Sequence, residues 1–172
     1  MSNIDRLAYN RAGQVFSAAN VATKNVIAVN NAMTGLILYN PVGSNKTLFV
    51  LDYSFAWVTV PGAVHQIGLG VVAPFGTAAT LTTTIATYDG RGFGNSGVAV
   101  GIASDSVTFA GSLAPIARRW AGGAAYSATG LSAYSIIDYV DGAIAVQPGG
   151  ACCLIGLTTT AAGVGAITWA EI

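Results

Sequence analysis

The chain has 172 residues, 53% of them hydrophobic and 8% charged, with seven basic and seven acidic side chains in balance. Globular domains carry roughly 25% charge; the balance leaves no basic stripe for nucleic acid and no acidic tail, and no run of about 18 uninterrupted apolar residues offers a membrane-spanning helix. A surface built from Gly, Ala, Thr, Ser and Asn in place of charge implies that much of it is covered by copies of the chain or by partners.

Residues 1–13 hold Asp5, Arg6 and Arg11 among few large apolar groups. They read as an N-terminal arm with a short helical turn, docking on a neighbour or staying mobile, with 14–172 as a single domain. The opening MSNIDRLAYNRAG is polar where a signal peptide needs an apolar core, so synthesis and retention in a cytoplasm until assembly are expected. Gln14 to Val29 contains two weak strands, the second from Asn25. Thr34 to Asn40 is a short apolar strand, and Pro41 to Lys46 is a loop of turn formers.

Thr47 to Val60, TLFVLDYSFAWVTV, is apolar on both of its faces. Phe49, Leu51, Tyr53, Phe55 and Trp57 form the odd face, expected in the core. Leu48, Val50, Ala56, Val58 and Val60 form the even face, broken by Asp52 and Ser54. A strand of an antiparallel sheet commonly wets one face, so the even face is predicted to meet another subunit or a covering loop. Such a strand would run about 46 Å at 3.3 Å per residue, which predicts a bulge or bend near Asp52 to Ser54.

After Pro61-Gly62-Ala63 comes a strand from Val64 to Val72, then a Thr-rich strand from Thr80 to Tyr88 and a glycine-laden loop. Gly97 to Ala103 and Val107 to Ala110 read as a hairpin turning at Ser104-Asp105-Ser106. Ser112 to Trp120 reads as a short helix or an irregular crossover, since Pro115 suits a first helical turn, and Gly122 to Gly130 reads as a loop. From Tyr134 to Ile172 apolar runs alternate with Asp141-Gly142, Pro148-Gly149-Gly150 and Gly163 to Gly165, the pattern of a small antiparallel sheet. About ten short strands with hardly any helix predict an all-β antiparallel sandwich of jelly-roll type.

Signals of chemistry are sparse. His65 is the single histidine, which excludes multi-histidine metal sites. A Ser-His-Asp relay would need it with Asp52, Asp89 or Asp138, and no G-x-S-x-G elbow accompanies them. Asp138 and Asp141 stand beside a turn. Gly92 to Gly97 has the letters of a dinucleotide fingerprint but leads into a strand pattern, leaving no helix N-terminus for a pyrophosphate. In Gly43 to Thr47, Asn45 occupies the place of a P-loop glycine. Adjacent Cys152 and Cys153 point to opposite faces of a strand and are expected as buried thiols. No catalytic residue, metal or cofactor is expected. Arg118 and Arg119 beside Trp120, with Arg6 and Arg11, are the candidates to grip an acidic partner surface. Tyr88, Phe93 and Tyr126, on or beside glycine-rich loops, are candidates to stack on sugar rings.

Three stretches together carry a resemblance: Asn40 to Leu48 entering the long apolar strand, the turn from Gln147 to Ala151, and the ending Ile167-Thr168-Trp169-Ala170-Glu171-Ile172. From about residue 30 to the end the chain resembles small structural proteins of tailed bacteriophages, Gly/Ala/Thr-rich β-sandwiches of tumour-necrosis-factor-like or related jelly-roll type. Members of that group trimerise and sit on the capsid surface as decoration or head-fibre proteins, or elsewhere on the virion. The resemblance implies a non-enzymatic virion protein that forms a homo-oligomer, with a trimer favoured. Its partners would be the major capsid protein or other virion proteins, with neither nucleic acid nor membrane among them. Two other readings stand beside it: a carbohydrate-binding module, and a filament or surface-layer subunit linked by strand addition of its arm.

Overall fold

The computed structural model describes residues 8–59, 64–73, 79–91, 98–110, 115–124, 134–157 and 161–172. After a helical turn over 8–11 come β1 (Val15–Ala19), β2 (Lys24–Val26), β3 (Ala32–Tyr39), β4 (Leu48–Trp57), β5 (His65–Val72) and three two-residue strands, β6 (Thr80–Leu81), β7 (Thr84–Ile85) and β8 (Tyr88–Asp89). The rest are β9 (Ile102–Thr108), β10 (Ile116–Ala124), β11 (Ser135–Val146), β12 (Ala151–Gly156) and β13 (Ala161–Glu171). The front sheet runs β11-β4-β13-β1-β8 with β2 also on β13; the back sheet runs β10-β5-β12-β3-β9-β6 with β7 also on β9. The four-strand sets β1-β13-β4-β11 and β3-β12-β5-β10 have the wiring of a jelly roll, and every pairing between strands is antiparallel.

Between the sheets lies the main core, including Phe16, Leu36, Leu38, Tyr53, Phe55, Ile67, Leu69, Leu154 and Trp169. Gly163 and Gly165 sit inside β13, where a Cβ would strike the Phe55 ring and the Leu154 side chain respectively. Bare backbone there lets large neighbours lie flat on the strand. Read as turn residues, these glycines instead mark close packing.

Outside the back sheet is a second cluster of Met33, Ile37, Tyr39, Val72, Val107, Phe109, Cys153 and Ile155, with Ala79 and Leu81 packed against it. β12 is accordingly buried on both sides. Cys152 belongs to the main core and Cys153 to the outer cluster. Both are free thiols; burial pushes Cys152 up to about 12 and Cys153 higher than its ordinary value.

β4 corrects the expected division into odd and even faces. Val50 pairs with Trp169 and Asp52 with Thr168, so Leu51 is an extra, bulged residue. The bulge lies one residue before the predicted stretch and reverses the alternation. Leu48 and Val50, expected to meet another subunit, point into the core with no exposed surface, while Tyr53, Phe55 and Trp57 point inward beyond the bulge. Leu51 turns outward and is covered by Tyr9, beside Val15 and Ala170.

Other local readings change with tertiary context. Asp141 and Gly142 both have positive φ, as a tight hairpin tip requires, yet they lie within β11. There Val140, Asp141, Gly142 and Ala143 all stand opposite Leu51. Residues 104–106 belong to the continuous strand β9, where buried Asp105 meets Lys24 at 2.6 Å. Arg118, Arg119 and Trp120 stand on β10 in place of a helix or crossover, and Trp120 is 39% exposed. The Thr80 to Tyr88 segment is broken into three short strands. The C-terminal strands make no sheet of their own, since β11 and β13 flank β4 while β12 inserts between β5 and β3.

Candidate functional site: an uncovered half of the front sheet

Beyond the Leu51 bulge, the outer side of the front sheet is an array of mostly short side chains. The register sets Ile137, Ser54, Ala166 and Ala19 in one row, and Tyr139, Asp52, Thr168 and Ser17 in the next. Ser135, Ala56 and Val164 form a third row. Their neighbours along each strand, such as Ile136, Phe55 and Ile167, are in the core. Period-two alternation with one buried face therefore orients the whole array outward.

The array has relief. Ile137 and Tyr139 on edge strand β11 are 63% and 61% exposed. Next to them lies a trough of about 260 Å³ whose lining includes Ala19, Ser54, Ala56, Val164 and Ala166, with Ile137 as a wall. Val58 and Tyr134, both exposed, lie at the end of the array near Trp57. Asp52 is the carboxylate within these three rows, with Asp141 at the margin in the β11 bulge.

Buried and half-buried charges elsewhere on the sandwich are paired. Arg119 on β10 donates from Nη2 to Oδ1 of Asp138 on β11 at 2.8 Å, joining the adjoining edges of the two sheets. The Arg119 hydrogen bonds hold the Asp138 carboxyl below its ordinary value, and burial followed by the Asp138 charge pushes the Tyr53 hydroxyl well above its own. Asp89 accepts from the Arg91 backbone N–H and Nε, each at 2.8 Å. The Glu171 carboxylate, 3% exposed, accepts from the N–H groups of Val100 and Gly101 and from Trp169 Nε1.

Asn40 organises one end of the sandwich. Its Nδ2 donates to the carbonyls of Lys46 and Val146, each at 2.8 Å, and its Oδ1 accepts from Ser44 Oγ at 2.6 Å. Its backbone bonds the 147–150 turn, while Thr47 and Ile172 exchange backbone hydrogen bonds. The three stretches that carry the sequence resemblance therefore meet in space.

The remaining sequence candidates scatter. Ala56 and Val58 are on or beside the open array. Arg11 and Arg118 are exposed, at the helical turn and on β10, and Arg119 is taken up by Asp138. Tyr88 is half exposed on β8, far along the sheet from β11. Val60, Arg6, Phe93 and Tyr126 lie outside the described residues. His65 is fully buried, with its ring edge-on to Trp57, so the candidate relay has no accessible histidine. Among the described residues, no three His, Cys, Asp or Glu side chains gather as a metal site.

Ile137, Tyr139, Val164 and Ala166 were missed by the sequence reading. The signal was the alternation of Ile137 and Tyr139 with Ile136 and Asp138, and of Val164 and Ala166 with two glycines. No protein-family model matches the chain, and neither the curated proteins nor the solved structures yield a match.

Proposed function

We propose that this chain is a non-enzymatic structural subunit working as a symmetric oligomer, a trimer, on the surface of a bacteriophage virion. The observation that carries the oligomer is the contrast between the two outer sheet faces: the back sheet buries an apolar cluster on its outer side, whereas among the described residues half of the front sheet is left bare and nearly uncharged. With 8% charged residues overall, such a face favours association over dispersion in water. The virion setting rests on the resemblance to small phage structural proteins. Arg11 and Arg118, both exposed, are the described cations offered to an acidic shell surface.

Light scattering on the untagged protein at several concentrations tests the reading. The expected mass is three times the 17.3 kDa chain, independent of dilution. A monomer at every concentration overturns the proposal, and open-ended growth replaces it with a filament subunit. Co-sedimentation with phage capsids lacking their surface proteins tests the setting; protein left wholly in the supernatant refutes it.

A further inference from the structure

Resting on the oligomer proposed above, we infer that the contact is made by the Ile137–Tyr139 ridge of one copy seated in the trough floored by Ser54, Ala56, Val164 and Ala166 of a second copy. Ridge and trough belong to the same face, so one chain presents both halves of the fit. The ridge is one strand wide and lies at the sheet edge, where Ile137 and Tyr139 stand 63% and 61% exposed. The trough runs from Ser135 and Ile137 of β11 across β4 and β13 to Ala19 at the end of β1, and its floor side chains are Ser, Ala and Val. A projecting edge meeting a floor of short side chains excludes water without requiring either backbone to move.

Charge and size agree with this occupant. Asp52 is the carboxylate within the rows, and it lies beside the hydroxyls of Thr168 and Tyr139 in the register. Repeated contact between copies consequently brings little like charge together. Four strands at about 4.8 Å each and the stretch from Asp52 to Val58 at 3.3 Å per residue give a projected area of about 440 Å². The standing side chains of Ile137, Tyr139, Val58 and Tyr134 add to it, giving more than half of the ~800 Å² per partner of a standard protein interface. Tyr9 bounds the patch by closing the neighbouring Leu51, Val15 and Ala170 cluster.

The test combines a charge substitution with cross-linking. Ala166→Arg places a long cation on the trough floor, where Ala166 faces outward and a folded subunit accommodates it; circular dichroism and the unfolding midpoint verify folding. The wild-type oligomer is expected to fall to monomers in this variant. Separately, Ile137→Cys and Val164→Cys are made in two batches of protein, mixed under conditions of subunit exchange and treated with a short bismaleimide. Native Cys152 and Cys153 are fully buried, and wild-type protein is the control. A covalent heterodimer of the two batches is expected. An oligomer that keeps its mass with Ala166→Arg and yields no heterodimer overturns this contact while leaving the oligomer standing. Wild-type protein that is monomeric throughout overturns both.

Discussion

Replacing Asn40 by Ala removes three side-chain hydrogen bonds at once from a fully buried position. Each such bond contributes about 1 kcal/mol net, and a buried acceptor stripped of its donor costs about 1–3 kcal/mol. The bond to the Val146 carbonyl is buried, whereas those to Lys46 and from Ser44 are partly exposed, so water recovers part of the loss there. The expected destabilisation is therefore about 3–4 kcal/mol, a large fraction of the roughly 5–15 kcal/mol that holds a domain. At about 2–4 °C per kcal/mol for a chain of this size, the melting temperature falls by about 10 °C. Urea unfolding of wild type and variant measures it, with the denaturant slope unchanged if only the folded state is affected. Asn40→Asp is the discriminating companion: a carboxylate oxygen then faces two carbonyls, and stability falls below that of the Ala variant. A loss under about 1 kcal/mol for Ala, or an Asp variant as stable as wild type, refutes the claim that the Asn40 amide ties this end together.

Leu51→Ala empties the cluster under Tyr9 and is expected to cost about 2–4 kcal/mol, whereas Ile137→Ala, on the open array, costs under about 1 kcal/mol in the monomer; urea midpoints compare the two. For Asp138 the folded value lies below the ordinary carboxylate value. Its stabilisation is present above that ordinary range, near 3.9 in unfolded chains, and is lost as pH falls through the depressed folded value. Arg119→Gln should remove most of this part of the acid dependence while costing at most about 1 kcal/mol at neutral pH, because the pair is solvent-screened; urea midpoints between pH 7 and pH 2 read both effects. Cys152 and Cys153 should resist iodoacetamide in the native state and react at the rate of global opening, a rate that mass spectrometry follows; prompt labelling of either thiol would contradict the packing of β12.

Much of the fold was legible because its signals are local. The apolar runs of β3, β4 and β5 and the turn formers at 41–46 and 148–150 specify strands and reversals within a few residues of themselves. The Asp141-Gly142 signal was right about backbone conformation, since both residues have positive φ, and wrong about its consequence. Ser104-Asp105-Ser106 has turn composition but lies in β9, where Lys24 of a distant strand offsets the buried Asp105 charge. The start of β10 looked helical or irregular because Pro115 suits a first helical turn. It is held as a strand by pairing with β5 across two register shifts.

The candidate face was only half visible for the same reason. Composition and local pattern determined a charge-poor, strand-rich chain with thiols for burial, and these properties hold in any arrangement of the strands. Which surface stays bare was decided by the tertiary structure. A single bulged residue, Leu51, reverses the facing of β4, drawing Leu48 and Val50 into the core and leaving Ser54 and Ala56 outward. Side chains alternate with a period of two, so one inserted residue exchanges every inward position beyond it for an outward one. Its site is set by pairing with β13 and β11, strands that lie about a hundred residues further along the chain.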